Sequence, residues 1–94
     1  MKKSLLQKDK VCYVCVSTVN LHYHHIFYGT ANRKISDKDG CAVYLCQYHH
    51  TGVMGVHFNK KLDTMLKRKC QLVWQDHYNK TKKDFIARYG RSYL

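Results

Sequence analysis

Leu21-His22-Tyr23-His24-His25-Ile26-Phe27-Tyr28 is rich in aromatic and β-branched residues, the composition of a strand. Neighbours in a strand point to opposite sides, so His24 and His25 meet different surroundings, and one can bind a metal while the other addresses a water molecule. Upstream lies Cys12-x-x-Cys15, within an apolar segment over residues 11–16 that suits a zinc-knuckle turn. Downstream, Cys41-Ala42-Val43-Tyr44-Leu45 forms a second short strand that delivers Cys46. Leu45-Cys46-Gln47-Tyr48-His49-His50 follows, then the glycine-containing loop Thr51-Gly52-Val53-Met54-Gly55, then His57.

These residues divide by chemistry. Structural zinc takes four soft or borderline ligands in a tetrahedron, commonly from two short knuckles separated by a variable loop. Cys12-x-x-Cys15 and Cys46-x-x-His49 meet that requirement, although His50 stands next to His49 and competes for the fourth position. A thioredoxin-like role for Cys12-x-x-Cys15 calls for a helix opening within a βαβ pattern, which this sequence lacks. Cys41 and Cys70 have no partner at ligand spacing and are assigned to the apolar core, and His22 and His77 to structure. His24, His25, His50 and His57 remain. Phosphodiester hydrolysis uses a divalent metal against the scissile phosphate and a general base on water, and histidine serves either purpose.

Composition narrows the class. Ninety-four residues make one domain, small enough to gain from a metal staple. Seventeen Lys and Arg against six Asp and Glu leave a formal charge of +11, which favours a polyanionic partner, nucleic acid foremost. An odd set of five cysteines with no secretory signal argues for reduced thiols in a cytoplasm, and no stretch has transmembrane length.

The expected organisation is a basic arm over residues 1–10 and a single domain over 11–94. Residues 29–40 are polar, basic and turn-rich, and read as a long loop beside the site. From Asn59, a plausible N-cap, Leu62, Met65, Leu66, Cys70, Val73 and His77 recur at helical spacing to about residue 78, with Leu72 and Trp74 widening the buried face. Thr81-Lys82-Lys83-Asp84 resembles a capping box, and Phe85, Ile86 and Tyr89 form the stripe of a closing helix ended by Gly90.

Taken together, Cys12-x-x-Cys15, His24-His25-Ile26, Leu45-Cys46-x-x-His49-His50 and His57 resemble the zinc-knuckle subgroup of the HNH (His-Me finger, ββα-metal) endonucleases. The runs His24-His25-Ile26-Phe27-Tyr28-Gly29 and Gly55-Val56-His57-Phe58-Asn59, with the closing Tyr89-Gly90-Arg91-Ser92-Tyr93, are similar to small HNH-like proteins of phages and prophages. The resemblance implies an α+β, zinc-stapled ββα-metal domain with C-terminal helices that cleaves DNA in a bacterial host cytoplasm. It makes His25 the general base and His24, His50 and His57 ligands of a catalytic cation (Mg²⁺, Mn²⁺, Ni²⁺ or Zn²⁺). Cys12, Cys15, Cys46 and His49 are left for structural zinc. The family's middle Asn falls where this chain has Cys41, so the group that orients His25 stays open among Asn32, Asp37 and a backbone carbonyl. Flanking phosphates are expected on Arg33, Lys34, Lys38, Lys60, Lys61, Lys67, Arg68 and Lys69. A phage terminase or recombination protein is a conceivable further partner. The rival reading is a non-catalytic zinc module that binds nucleic acid.

Overall fold

β1 (Leu21–His25) pairs antiparallel with β2 (Ala42–Cys46), setting Tyr23 opposite Tyr44 and His24 opposite Val43. The computed structural model describes residues 3–52 and 54–94, so Val53 of the glycine loop and the first two residues of the expected arm lie outside the described residues. Around this hairpin stand α1 (Thr30–Asp39), α2 (Gln47–His50), α3 (Lys60–His77) and α4 (Lys82–Tyr89), which makes a small α+β domain. No helix among the described residues is long and apolar enough to cross a membrane.

β1 ends sooner than the strand composition suggested. Ile26 and Phe27 leave the ladder and are fully buried, while Tyr28 emerges at the surface. They join Val43 and Leu45 of β2, Leu66, Cys70 and Trp74 of α3, and Phe85 and Tyr89 of α4 in one core. Cys41 and Cys70 are both buried there, as assigned. A hydrogen bond with Cys41, reinforced by burial, pushes the Cys70 thiol far above its ordinary range, leaving it unreactive.

The segment expected as a loop over residues 29–40 is instead mostly helix α1. Apolar periodicity misses it because its inward face carries polar side chains, Ser36 and Asp39, whose partners are distant in sequence. The Ser36 hydroxyl donates to the Phe27 carbonyl at 2.7 Å and accepts from the Phe27 N–H at 3.2 Å. Asp39 accepts from Trp74 Nε1 at 2.8 Å, from Tyr89 Oη at 2.8 Å and from Arg88 through two bonds of 2.6 Å. Burial alone would raise its pKa, but these donors outweigh that and lower it. One carboxylate thus clamps α1 to α3 and α4. Gly40 then ends the helix in the left-handed region at φ 79°.

α3 starts where Asn59 predicts, with the Asn59 side chain accepting from Leu62 N–H at 3.1 Å. Its buried side differs from the sequence pattern: Met65 and Leu72 are 54% exposed, whereas Gln71 is fully buried. Gln71 is satisfied by Ser92 Oγ at 2.9 Å and by the Tyr93 N–H at 2.7 Å, which fastens the C-terminal residues to the helix. In α4 the Thr81–Asp84 capping box forms, Phe85 and Tyr89 are buried, and Ile86 is 40% exposed.

Residues 3–10 are docked. Leu5 donates its N–H to Gly40 O at 2.9 Å, and Leu5 and Leu6 pack against the core. Gln7 Oε1 accepts from Tyr44 N–H at 2.6 Å, and Tyr13 N–H donates to Tyr44 O at 2.8 Å. The outer edge of β2 is thereby covered.

Candidate metal centres and the histidine cleft

The first cluster gathers Cys12 and Cys15 from the N-terminal turn, Cys46 from the end of β2 and His49 from α2, with one ligand atom of each within 4.8 Å of all the others. Its edges are Cys15 Sγ to Cys46 Sγ at 3.7 Å, Cys46 Sγ to His49 Nδ1 at 3.3 Å and Cys12 Sγ to His49 Nδ1 at 3.8 Å. A tetrahedron with zinc–sulfur bonds of about 2.3 Å and zinc–nitrogen bonds of about 2.0 Å has edges of roughly 3.5–3.8 Å, so the cluster has the size of a structural zinc site. A disulfide would bring sulfurs to about 2.0 Å, much closer than Cys15 and Cys46 stand. Burial raises the Cys12 thiol, but hydrogen bonds from the backbone of Cys46, Cys15 and Val14 outweigh it and bring the pKa down to about 6. At Cys15 a hydrogen bond from the Ser17 backbone favours the thiolate, yet partial desolvation and the Cys12 and Cys46 sulfurs prevail and raise it. Cys12 is thus favoured as a thiolate, the state a metal requires.

His49 and His50 separate because α2 is a single helical turn. Adjacent residues on a helix diverge by about 100°, so His49 turns to the cysteines and His50 to a second cluster with His24 and His57. This second set also lies within 4.8 Å, His50 Nε2 to His57 Nε2 being 3.4 Å. The glycine-containing loop brings His57 back: a Cβ on Gly55 would collide with the His50 carbonyl, so the close return of the chain depends on glycine there. His24 Nε2 and His50 Nδ1 are buried without a hydrogen-bond partner, a costly state for polar nitrogens. Burial, then the neighbouring His50, His57, His25 and Lys67, lower the His24 pKa to about 3, and burial followed by His57 and His22 lowers that of His50. Both rings are therefore neutral near pH 7 and can donate a lone pair to a metal.

His25 opens onto the same cleft, a cavity of about 340 Å³ lined by Tyr23, His24, His25, Tyr28, Arg33, His50 and His57. Of the groups left open for orienting it, Asp37 is in reach: its Oδ1 lies 3.2 Å from His25 Nε2. A carboxylate accepts, so Nε2 donates to it, and Nδ1 is the ring nitrogen not engaged by Asp37. Asn32 is engaged elsewhere, donating to Tyr89 O at 3.2 Å. Asp37 escapes a reading based on elements because it belongs to α1, the helix hidden in the apparent loop.

The basic residues fall into three groups. Arg33 lines the histidine cleft and, with Lys34 near the start of α1, continues it along Gly29 and Thr30, while Lys38 is exposed in the last turn. Lys60, Lys61, Arg68 and Lys69 share the outer face of α3 around Met65 and Leu72, where they line a concavity of about 680 Å³. Lys67 is set apart from both by an ion pair within the protein. It turns inward, 13% exposed, to bond Asp63 at 2.9 Å under the Tyr28 ring, with Nζ 4.2 Å from the ring centroid. Its charge is already paired.

No protein-family model matches the chain, and no curated protein or solved structure matches it. The α+β fold and its two clusters of metal-binding composition define the protein as a small domain able to hold metal at Cys12, Cys15, Cys46 and His49, in a geometry compatible with structural zinc.

Proposed function

We propose that this protein is a metal-dependent endonuclease of the ββα-metal type, which hydrolyses DNA phosphodiester bonds in the histidine cleft. The observation that carries the reading is the convergence of His24, His50 and His57 beside His25, whose far nitrogen is held by Asp37. His24, His50 and His57 would hold a divalent cation, which would supply positive charge against the scissile phosphate and the leaving oxygen. His25 Nδ1 accepts the proton of the water that attacks phosphorus, Asp37 stabilises the imidazolium that results, and the 3′ oxygen leaves as its bond to phosphorus breaks and takes a proton from solvent. Arg33, at the rim, pairs with a flanking phosphate oxygen. The cysteine-rich cluster has no part in the reaction. Zinc held there would fix α2, and hence His50, relative to the N-terminal turn.

The test is supercoiled-plasmid cleavage by protein that retains one zinc, with Mg²⁺, Mn²⁺, Ni²⁺, Co²⁺ and Zn²⁺ added separately. Nicked or linear product with at least one ion is the expected result. Tight DNA binding with no product under any of them would favour the non-catalytic zinc module.

A further inference from the structure

We propose that the cleft between the Tyr23–Tyr44 pair and residues 3–10 is a second binding site, which takes one unpaired nucleotide of a nucleic-acid strand that continues into the histidine cleft. Tyr23 and Tyr44 are directly paired across the two strands, with ring centroids 5.0 Å apart. Both are only partly buried, and among the described residues Lys3, Lys8 and Lys10 line a cleft of about 220 Å³ with the two rings, together with Ser4, Gln7 and Asp9, while the Asp37 carboxylate also acts on Tyr23. Lys10 Nζ stands 5.6 Å from the Tyr44 ring centroid. Ordinary sheet cover would be apolar, whereas aromatic faces edged with lysines are what a stacked base and its phosphate require. Drug-sized ligands occupy about 300–1,000 Å³, so this smaller cleft suits a single base.

The wall is built, because Gln7 commits its whole amide to holding it. Its Oε1 takes the Tyr44 N–H at 2.6 Å, and its Nε2 donates to Val11 O at 2.9 Å, fixing the lysine-bearing segment along β2. The site also continues into the other. Tyr23 lines both cavities, and its ring lies edge-on to His25 at 5.6 Å between centroids. A base stacked on the tyrosines would therefore leave its neighbouring phosphate near His25. The continuation of the strand rests on the hydrolase reading, whereas base binding stands without it.

The experiment measures affinity of the zinc-loaded wild-type protein, with no second cation added, for three DNA duplexes: fully paired, with one unpaired thymidine, and with one unpaired abasic nucleotide. The expected result is binding of the thymidine duplex about tenfold or more tighter than of the other two, in line with the worth of one base–aromatic stack. Tyr44→Leu removes that preference and leaves affinity for the paired duplex unchanged. Lys8→Ala with Lys10→Ala, both on the exposed segment, weakens the thymidine complex and serves if Tyr44→Leu does not fold. Equal affinity for thymidine and abasic duplexes overturns the proposal, as does a preference that survives Tyr44→Leu. A thymidine preference in a protein that cleaves nothing leaves this site standing and removes the hydrolase, whereas cleavage of all three duplexes alike with no preference does the reverse.

Discussion

His24 and His25 are chain neighbours in different surroundings, and strand geometry separates them: His24 is 5% exposed against His50 and His57, and His25 meets Asp37. Removing each should therefore fail differently. His25→Ala is expected to retain zinc, thermal stability and DNA affinity while turnover in the plasmid assay falls by about two to four orders of magnitude, the usual worth of a positioned base. His24→Ala should instead weaken the second cation, so that part of its activity returns as that ion is raised. Cleavage unchanged by His25→Ala would mean that the base lies elsewhere. Cys46→Ser belongs at the same scale, because a lost thiolate removes folding free energy along with the metal. Elemental analysis should find wild-type protein with about one tightly held zinc and the variant with none, its unfolding no longer cooperative. Well-folded wild-type protein free of zinc would overturn the tetrad.

Among the elements, α3 divides its charges between two faces. Arg68 and Lys69 point outward beside Lys60 and Lys61, while Lys67 is turned inward onto Asp63 and Tyr28. If the outer face binds phosphates, Arg68→Ala with Lys69→Ala should weaken DNA binding on every sequence and reduce the slope of log affinity against log salt by about two, one for each phosphate no longer neutralised. Lys67→Ala should leave that slope nearly unchanged and lower stability by about 1 kcal/mol, through the unpaired Asp63 carboxylate. A salt titration beside a thermal melt separates the two, and a slope reduction from Lys67→Ala equal to that from the outer pair would contradict the division. α1 is the element that apolar spacing conceals. Its helical form is legible only after Ser36 has found Phe27 and Asp39 has found Trp74, Arg88 and Tyr89, all bonds between residues far apart in the chain or on elements not yet placed.

At the scale of the molecule, two buried groups link stability to pH in one direction. The folded-state pKa of His24 lies below its ordinary value of 6.5, at about 3, so the unfolded chain binds the proton more readily. Its contribution is present above pH 6.5 and is lost as pH falls through that value towards 3. Asp39, also lowered, adds a loss below its ordinary 3.8. Denaturant midpoints should therefore decline from pH 7 to pH 5, and His24→Gln, which leaves the zinc tetrad intact, should flatten the decline relative to wild type. A wild-type midpoint that rises on acidification would contradict the burial of a neutral His24.

The local spacings Cys12-x-x-Cys15 and Cys46-x-x-His49 were enough to point to two knuckles of a four-ligand set, with the fourth place contested by His50, and Asn59, Thr81 and Asp84 enough to start α3 and α4, because capping and knuckle chemistry act over three or four residues. The alternation of a strand likewise separates His24 from His25 without reference to the rest of the chain. What tertiary structure alone decided is everything that depends on distant partners. His49 and His50 are assigned by the turn of α2, His57 by the return of the chain over Gly55, the partner of His25 by a helix hidden in polar sequence, and the buried side of α3 by Gln71 meeting Ser92 and Tyr93. Polar side chains bury only where a partner satisfies them, and a partner brought in by folding leaves no periodic mark in the sequence.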